Sequence, residues 1–170
     1  MALVDPLRWS PDGLSAEELR EIRRIKARVE SERLPRGVDK GRHLKLGPGG
    51  LADVEWVAQL LALQHAAAVP GLRSTRTVPV LHAATAAGLL DRTERDDLVE
   101  AWRMAGELRN AIVHTTGRAS DVLPTDARAR ESLARLLGYP PGASGAMLDD
   151  WARAARHARR VVRRVVYGEQ

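Results

Sequence analysis

The densest run of chemistry-capable residues is Lys45-Leu46-Gly47-Pro48-Gly49-Gly50-Leu51-Ala52-Asp53-Val54-Glu55-Trp56, followed by Gln59. A glycine-rich turn at a helix start can offer bare backbone amides, and Lys45 adds a positive charge beside them. Such an arrangement attracts phosphate or carboxylate. The structural reading is that Gly49-Gly50 makes the turn and Asp53 sits early in the helix, where an acid complements the dipole. The spacing is not the phosphate-loop pattern G-x-x-x-x-G-K-[ST], which favours the structural reading. Asp53 and Glu55, two apart on a helix, point to roughly opposite faces and do not form a pair on one metal. Glu55 and Gln59, four apart, share a face.

A second candidate is Arg109-Asn110-Ala111-Ile112-Val113-His114. It resembles the R-x4-H signature of HEPN ribonucleases, small helical bundles in which the arginine and histidine act on RNA. The structural reading pairs Arg109 with an acid and leaves His114 at a helix C-terminus, where positive charge is favourable. The third candidate is a run of arginines, Arg153, Arg156, Arg159, Arg160, Arg163 and Arg164. It could dock an acidic surface or a phosphate backbone. Without interleaved aromatics to stack bases, it reads instead as a solvated helix face. His43, His65, His82 and His157 show no metal-ligand spacing.

Helices must position these residues. Leu, Val and Ala carry the packing, because the 170 residues include no Phe, two Tyr and four Trp. Ser15-Ala16-Glu17-Glu18 has the form of a capping box opening a helix of about 18 residues that Pro35 and Gly37 end. A Pro/Gly/basic loop spans 35–50, and a helix from Gly50 to about Ala68 carries the first motif. A shorter helix covers roughly Val78–Ala87, with Gly88 as its cap. Asp91 opens one reaching His114. Thr125 or Asp126 opens one ending at Gly138, and the last runs from about Ala146 to Val166, with Trp151, Ala155, Ala158, Val162 and Val165 in its apolar stripe. The expected fold is an all-α bundle of about six helices forming one domain over residues 1–170.

Without cysteine there is no disulfide or thiolate chemistry. No apolar run approaches the roughly 20 residues of a membrane span, and the opening Met1-Ala2-Leu3-Val4-Asp5-Pro6 does not read as an export signal, so the cytoplasm is expected. The net charge is +5, and all 27 basic residues except Lys26, Lys40 and Lys45 are arginine. That bias reflects nucleotide composition as readily as a polyanion partner, so nucleic acid is not expected.

The stretch Lys45-x-x-x-Gly49-Gly50-x-x-Asp53-x-Glu55-Trp56-x-x-Gln59 resembles the helical domain of glutamine synthetase adenylyltransferases. Related PII uridylyltransferases share Gly49-Gly50-Leu51-x-Asp53. The resemblance extends through Ile22–Glu30, Leu60–Ala66, Ala101-Trp102-Arg103, Arg109-Asn110-Ala111, Leu136–Tyr139, Asp149-Asp150-Trp151 and Val165–Gly168. It looks most like the C-terminal, adenylylating half of that two-headed enzyme. It implies that the full enzyme moves AMP from MgATP to a tyrosine of glutamine synthetase, with PII signalling protein and glutamine setting the direction.

The resemblance also implies that chemistry lies in an upstream nucleotidyltransferase domain, whose Gly-Ser turn and Asp-x-Asp or Asp-x-Glu pair hold magnesium. Here Ser144-Gly145 followed by Asp149-Asp150 is only an echo, at the start of a helix. The chain therefore reads as an accessory fragment, inactive alone and with no catalytic residue or metal of its own. In it Lys45, Gly49, Gly50, Asp53, Glu55 and Gln59 would face the nucleotide or substrate pocket. The alternatives are an interdomain hinge, a module that docks glutamine synthetase, and a ribonuclease using Arg109 and His114.

Overall fold

The computed structural model describes residues 9–11, 13–34 and 37–169. Pro35, expected to end the first helix, lies outside them. Among the described residues there are six α-helices: α1 Ala16–Glu32, α2 Leu51–His65, α3 Thr77–Ala86, α4 Arg92–Thr116, α5 Ala127–Leu136 and α6 Ser144–Val162. No strand joins them beyond an isolated antiparallel bridge between His43 and Val122. The all-α bundle is as expected.

Local chemistry fixes the helix starts. Ser15 accepts from the Glu18 amide while Glu18 accepts from the Ser15 amide, satisfying two orphan donors reciprocally. Asp91 and Glu94 repeat the device at α4, and Asp126 caps α5. Gly117, at φ 69°, closes α4 in the left-handed conformation that glycine adopts without a Cβ penalty. Several ends differ from expectation: α4 runs on to Thr116, past His114, and α5 stops at Leu136, short of Gly138. α2 stops at His65, three residues early, because Ala66–Ala68 turns into the short 3-10 helix Pro70–Leu72. α6 stops at Val162, and Arg163–Tyr167 winds on as a π-turn. The wider winding buries Val166 and leaves Val165 half-buried.

α4 and α6 form the most extensive helix pair. Their buried faces carry Ala101 and Ala105 on one side and Ala154 and Ala158 on the other, small side chains that let helices approach. Two apolar clusters flank this axis. One gathers Val54, Leu60, Leu81, Leu98 and Val162; the other gathers Leu44, Leu108, Ile112, Leu133 and Met147. Trp102 and Met104 pack against both. α1 is the exception. Its only buried residue is Lys26, so polar contacts must do much of the work of holding it.

Candidate functional site

The Gly49-Gly50 motif is built by a folded-back loop. Residues 42–44 pair with 121–123: the Leu44 amide donates to Asp121 O at 2.7 Å and the Leu123 amide to Arg42 O at 2.9 Å. The Trp151 indole donates to Gly41 O at 2.9 Å, tying the loop to α6. His43 is buried, and burial lowers its pKa; its Nδ1 accepts from the Leu46 amide at 3.1 Å, as neutral imidazole can.

The amides at the start of α2 are not bare. Gly50 donates to Gly47 O at 2.9 Å, Leu51 to Leu44 O at 3.0 Å and Ala52 to Lys45 O at 3.0 Å. The Gly49 amide donates to Asp53 Oδ2 at 2.8 Å. An anion arriving here would meet donors already committed, so the turn-making reading of the glycines describes the geometry. Gly49 itself has φ +75°, and a Cβ there would lie 1.9 Å from the Ala155 carbonyl oxygen. Only glycine lets this loop lie so close against α6.

Asp53 is 5% exposed and faces inward. Its Oδ1 accepts from Lys26 Nζ of α1 at 2.5 Å, and its Oδ2 from Arg159 of α6 at 3.0 Å as well as from Gly49. Glu30 accepts from Lys26 and, at 3.1 Å, from Arg159. The Tyr167 ring lies 5.7 Å from Lys26 Nζ and 5.8 Å from the Arg159 guanidinium carbon, within cation–π range, and its hydroxyl donates to Glu30 at 3.3 Å. Two acids and two bases thus close a neutral network between α1, α2, α6 and the π-turn. Arg23 Nε reinforces it by donating to Val166 O at 2.5 Å.

This network was missed in the sequence. A signal existed: Leu19, Ile22 and Lys26 follow helical spacing, so Lys26 falls on an apolar stripe with an acid, Glu30, one turn on. A lysine on a buried face requires an acid partner. The partners Asp53 and Arg159 lie far away in sequence, and no local pattern identifies them.

The other motif residues point elsewhere. Lys45 and Gln59 are exposed and Glu55 is half-buried. Their side chains make no hydrogen bond or ion pair among the described residues. Gln59 lines a groove of about 260 Å³ with Trp9, Leu63 and Arg76. Arg109 Nε donates to Asp121 at 2.6 Å, the acid pairing of the structural reading, while His114 is exposed in the last turn of α4. Asp150 accepts from the Tyr139 hydroxyl at 2.8 Å and pairs with Arg153, and Asp149 is exposed.

The arginine run corrects the expectation of a merely solvated face. Arg159 binds Glu30 and Asp53, Arg160 binds Asp97 at 3.0 Å, and Arg164 binds Glu94. These arginines clasp α6 to α1, α2 and α4, and only Arg156 of the run has no ion pair among the described residues.

The network predicts how stability responds to pH. Burial pushes the Lys26 ammonium down, but the charge and hydrogen bond of Asp53, with Glu30, outweigh it and raise the pKa above 10.5. Burial likewise pushes Glu30 up, and hydrogen bonds from Lys26 and Arg159 outweigh it, holding the carboxyl below 4.5. The Glu30 contribution is full above pH 4.5 and lost as pH falls through its depressed value. The Lys26 contribution is full below pH 10.5 and lost as pH rises through its raised value. Burial and the bond to Asp150 push Tyr139 up to about 12, adding to the alkaline loss. The buried, neutral His43, its pKa lowered from 6.5, adds a loss below that pH. Thermal melts followed by circular dichroism should therefore be level between about pH 6.5 and 10 and fall outside that window. A Lys26→Met variant should show a weaker alkaline fall; an unchanged one would sever Lys26 from it.

Among the described residues there is no grouping of three or more His, Asp or Glu able to hold a metal, and both Asp53 oxygens are engaged by cations or an amide. No described helix is long and apolar enough to cross a membrane.

A family model described as GlnD PII-uridylyltransferase matches residues 21–167. The bifunctional glutamine synthetase adenylyltransferase/adenylyl-removing enzyme of Streptomyces avermitilis is 54% identical over 166 residues, which cover 98% of this chain and 17% of that protein. The protein of the same name from Streptomyces coelicolor is 52% identical over 165 residues, 97% of this chain and 16% of that protein. The one from Cutibacterium acnes is 49% identical over 166 residues, again 98% and 17%.

Proposed function

The chain belongs to the GlnD PII-uridylyltransferase family, and we propose that it is the accessory helical domain of a longer enzyme that transfers AMP from ATP to a tyrosine of glutamine synthetase. It spans 17% of the length of the Streptomyces avermitilis relative. The chemistry, with ATP and magnesium, belongs in this reading to a nucleotidyltransferase domain of the same polypeptide. Glutamine synthetase is the substrate, and PII signalling protein acts through the full enzyme in the cytoplasm.

The observation that carries this reading is the division of labour within one motif. Gly49, Gly50 and Asp53 are spent inward on the turn and the clasp, while Lys45, Glu55 and Gln59 have no side-chain hydrogen bond or ion pair among the described residues. The Glu55 carboxylate is open to solvent in this chain alone, so a docked domain could take the place of water there. Contact with the nucleotidyltransferase domain would engage Glu55 and Gln59, which share a helix face.

The test is an AMP-transfer assay with purified glutamine synthetase and MgATP, first with this chain alone and then with the nucleotidyltransferase domain joined to it. Transfer is expected only in the second case. In that two-domain form Glu55→Ala and Gln59→Ala should lower transfer without lowering the melting temperature. Transfer by the chain alone would overturn the accessory role. Full activity in both variants, together with capture of glutamine synthetase by the isolated bundle, would replace it with a docking role.

A further inference from the structure

A groove of about 860 Å³ runs along the outer side of α6, between that helix and the first turns of α4. Its lining mixes apolar Pro48, Ala152 and Val161 with the arginines of the last helix. Four acids, Asp91, Glu94, Asp97 and Glu169, face five arginines across it. Pro48 of the glycine motif and Arg159 of the charge network border this cleft, and its other arginines belong to neither.

The bookkeeping of donors and acceptors inside it is unequal. Both oxygens of Glu94 are taken by Arg164, and Oε2 also accepts from the Asp91 amide at 3.0 Å. Asp97 has Arg160 on one oxygen and His157 on the other. Glu94 and Asp97 are therefore engaged, and Asp91 caps α4 by accepting from the Glu94 amide at 2.8 Å. The arginines have donors to spare, since each guanidinium carries five N–H groups. Arg160 makes a single hydrogen bond, through Nη2. Arg163 stands 3.7 Å from Glu169, beyond hydrogen-bond reach, and Arg156 has no acid within ion-pair distance. Arg156 and Arg163 thus present donors to an occupant that brings acceptors, while Glu169 stands at one end of the groove.

We infer that this groove receives an extended, acidic segment of a partner protein, whose carboxylates pair with Arg156 and Arg163 while an apolar side chain lies against Val161 and Ala152. The stretch from Ala152 to Arg164 is roughly 18 Å long at 1.5 Å per residue, the length of about five or six extended residues. Guanidinium matches carboxylate in a bidentate fork, so spaced acids suit this rim. A nucleic-acid backbone suits it less. Its evenly spaced phosphates would meet Glu94 and Asp97, and the lining holds no aromatic side chain on which bases could stack. The inference is independent of AMP transfer and stands or falls by binding alone.

The probe is a fluorescein-labelled decapeptide of alternating glutamate and leucine, titrated with the whole chain by fluorescence anisotropy. Its controls are the same peptide with glutamine for glutamate and a labelled oligodeoxythymidine. The glutamate peptide should bind tighter than both, and more weakly as salt rises. Arg156→Glu and Arg163→Glu should each weaken it about tenfold, the scale of one charge-assisted hydrogen bond. Neither removes a hydrogen bond within the fold, so melting curves should be unchanged. Arg128→Glu, on α5 and outside the groove, should bind as the parent does. No binding, equal binding of the glutamine peptide, or an equal loss in Arg128→Glu would overturn the inference. Tighter binding of the oligonucleotide through the same arginines would replace it with a nucleic-acid surface.

Discussion

Asp53→Ala should lower the free energy of unfolding by about 3–5 kcal/mol, the cost of leaving a buried charge without its partner. At 5% exposure Asp53 is the shared acceptor of Lys26 and Arg159, and Lys26 is itself 1% exposed. Removing the carboxylate leaves an ammonium in the interior with Glu30 alone to answer both cations. In a domain of this size the loss should lower the melting temperature on the order of 10 °C. A double variant, Asp53→Leu with Lys26→Met, should recover much of it, because it removes both ends of the pair and leaves Arg159 with Glu30. Chemical denaturation of the three proteins measures this directly. A loss under about 1 kcal/mol for Asp53→Ala would mean that the network is solvated. In the longer enzyme the same variant separates two roles: activity lost only where the bundle melts marks Asp53 as part of the fold, and activity lost in the folded state marks it as part of the pocket.

Gly49→Ala is expected to cost about 2–5 kcal/mol, combining the left-handed backbone penalty with an overpacked contact. Its φ of +75° disfavours any Cβ, and that Cβ would stand 1.9 Å from the oxygen and 2.7 Å from the carbon of the Ala155 carbonyl. Both atoms are backbone, so relief requires moving the loop off α6. Gly88→Ala is the natural comparison, since its φ is +74° with nothing within 4 Å of the added atom. It should cost only the backbone term, about 1–2 kcal/mol. Equal losses in urea melts would show that the approach of loop to helix is not tight.

Several helix ends were legible because local chemistry announces them. Ser15 with Glu18, Asp91 with Glu94, and Gly117 all act within a turn of their own position. The spacing of Trp151, Ala155, Ala158 and Val162 placed the buried face of α6 correctly. The π-turn at Arg163–Tyr167 was not legible, because its Arg-Arg-Val-Val run is equally compatible with an α-helix. At the motif, the opposed directions of Asp53 and Glu55 followed from helical geometry. That Asp53 is the inward one, and answers to Lys26 and Arg159, depends on packing between distant segments. Likewise the arginines of α6 read as a solvated run until their acids arrive from α4 and α1. Charge pattern along one helix cannot say which charges face it across a bundle.

The order of synthesis gives the charge network a further consequence. Lys26, Glu30 and Asp53 leave the ribosome in the first third of this chain, and without Arg159 they carry a net negative charge. Arg23 must wait 143 positions for the Val166 carbonyl, and Glu30 waits 137 for the Tyr167 hydroxyl. At roughly 5–20 residues per second that interval is on the order of ten seconds. Throughout it α1, which has little apolar surface to bury, has no completed seat. Its docking is therefore a late event, set by the emergence of the last turn rather than by its own helix propensity.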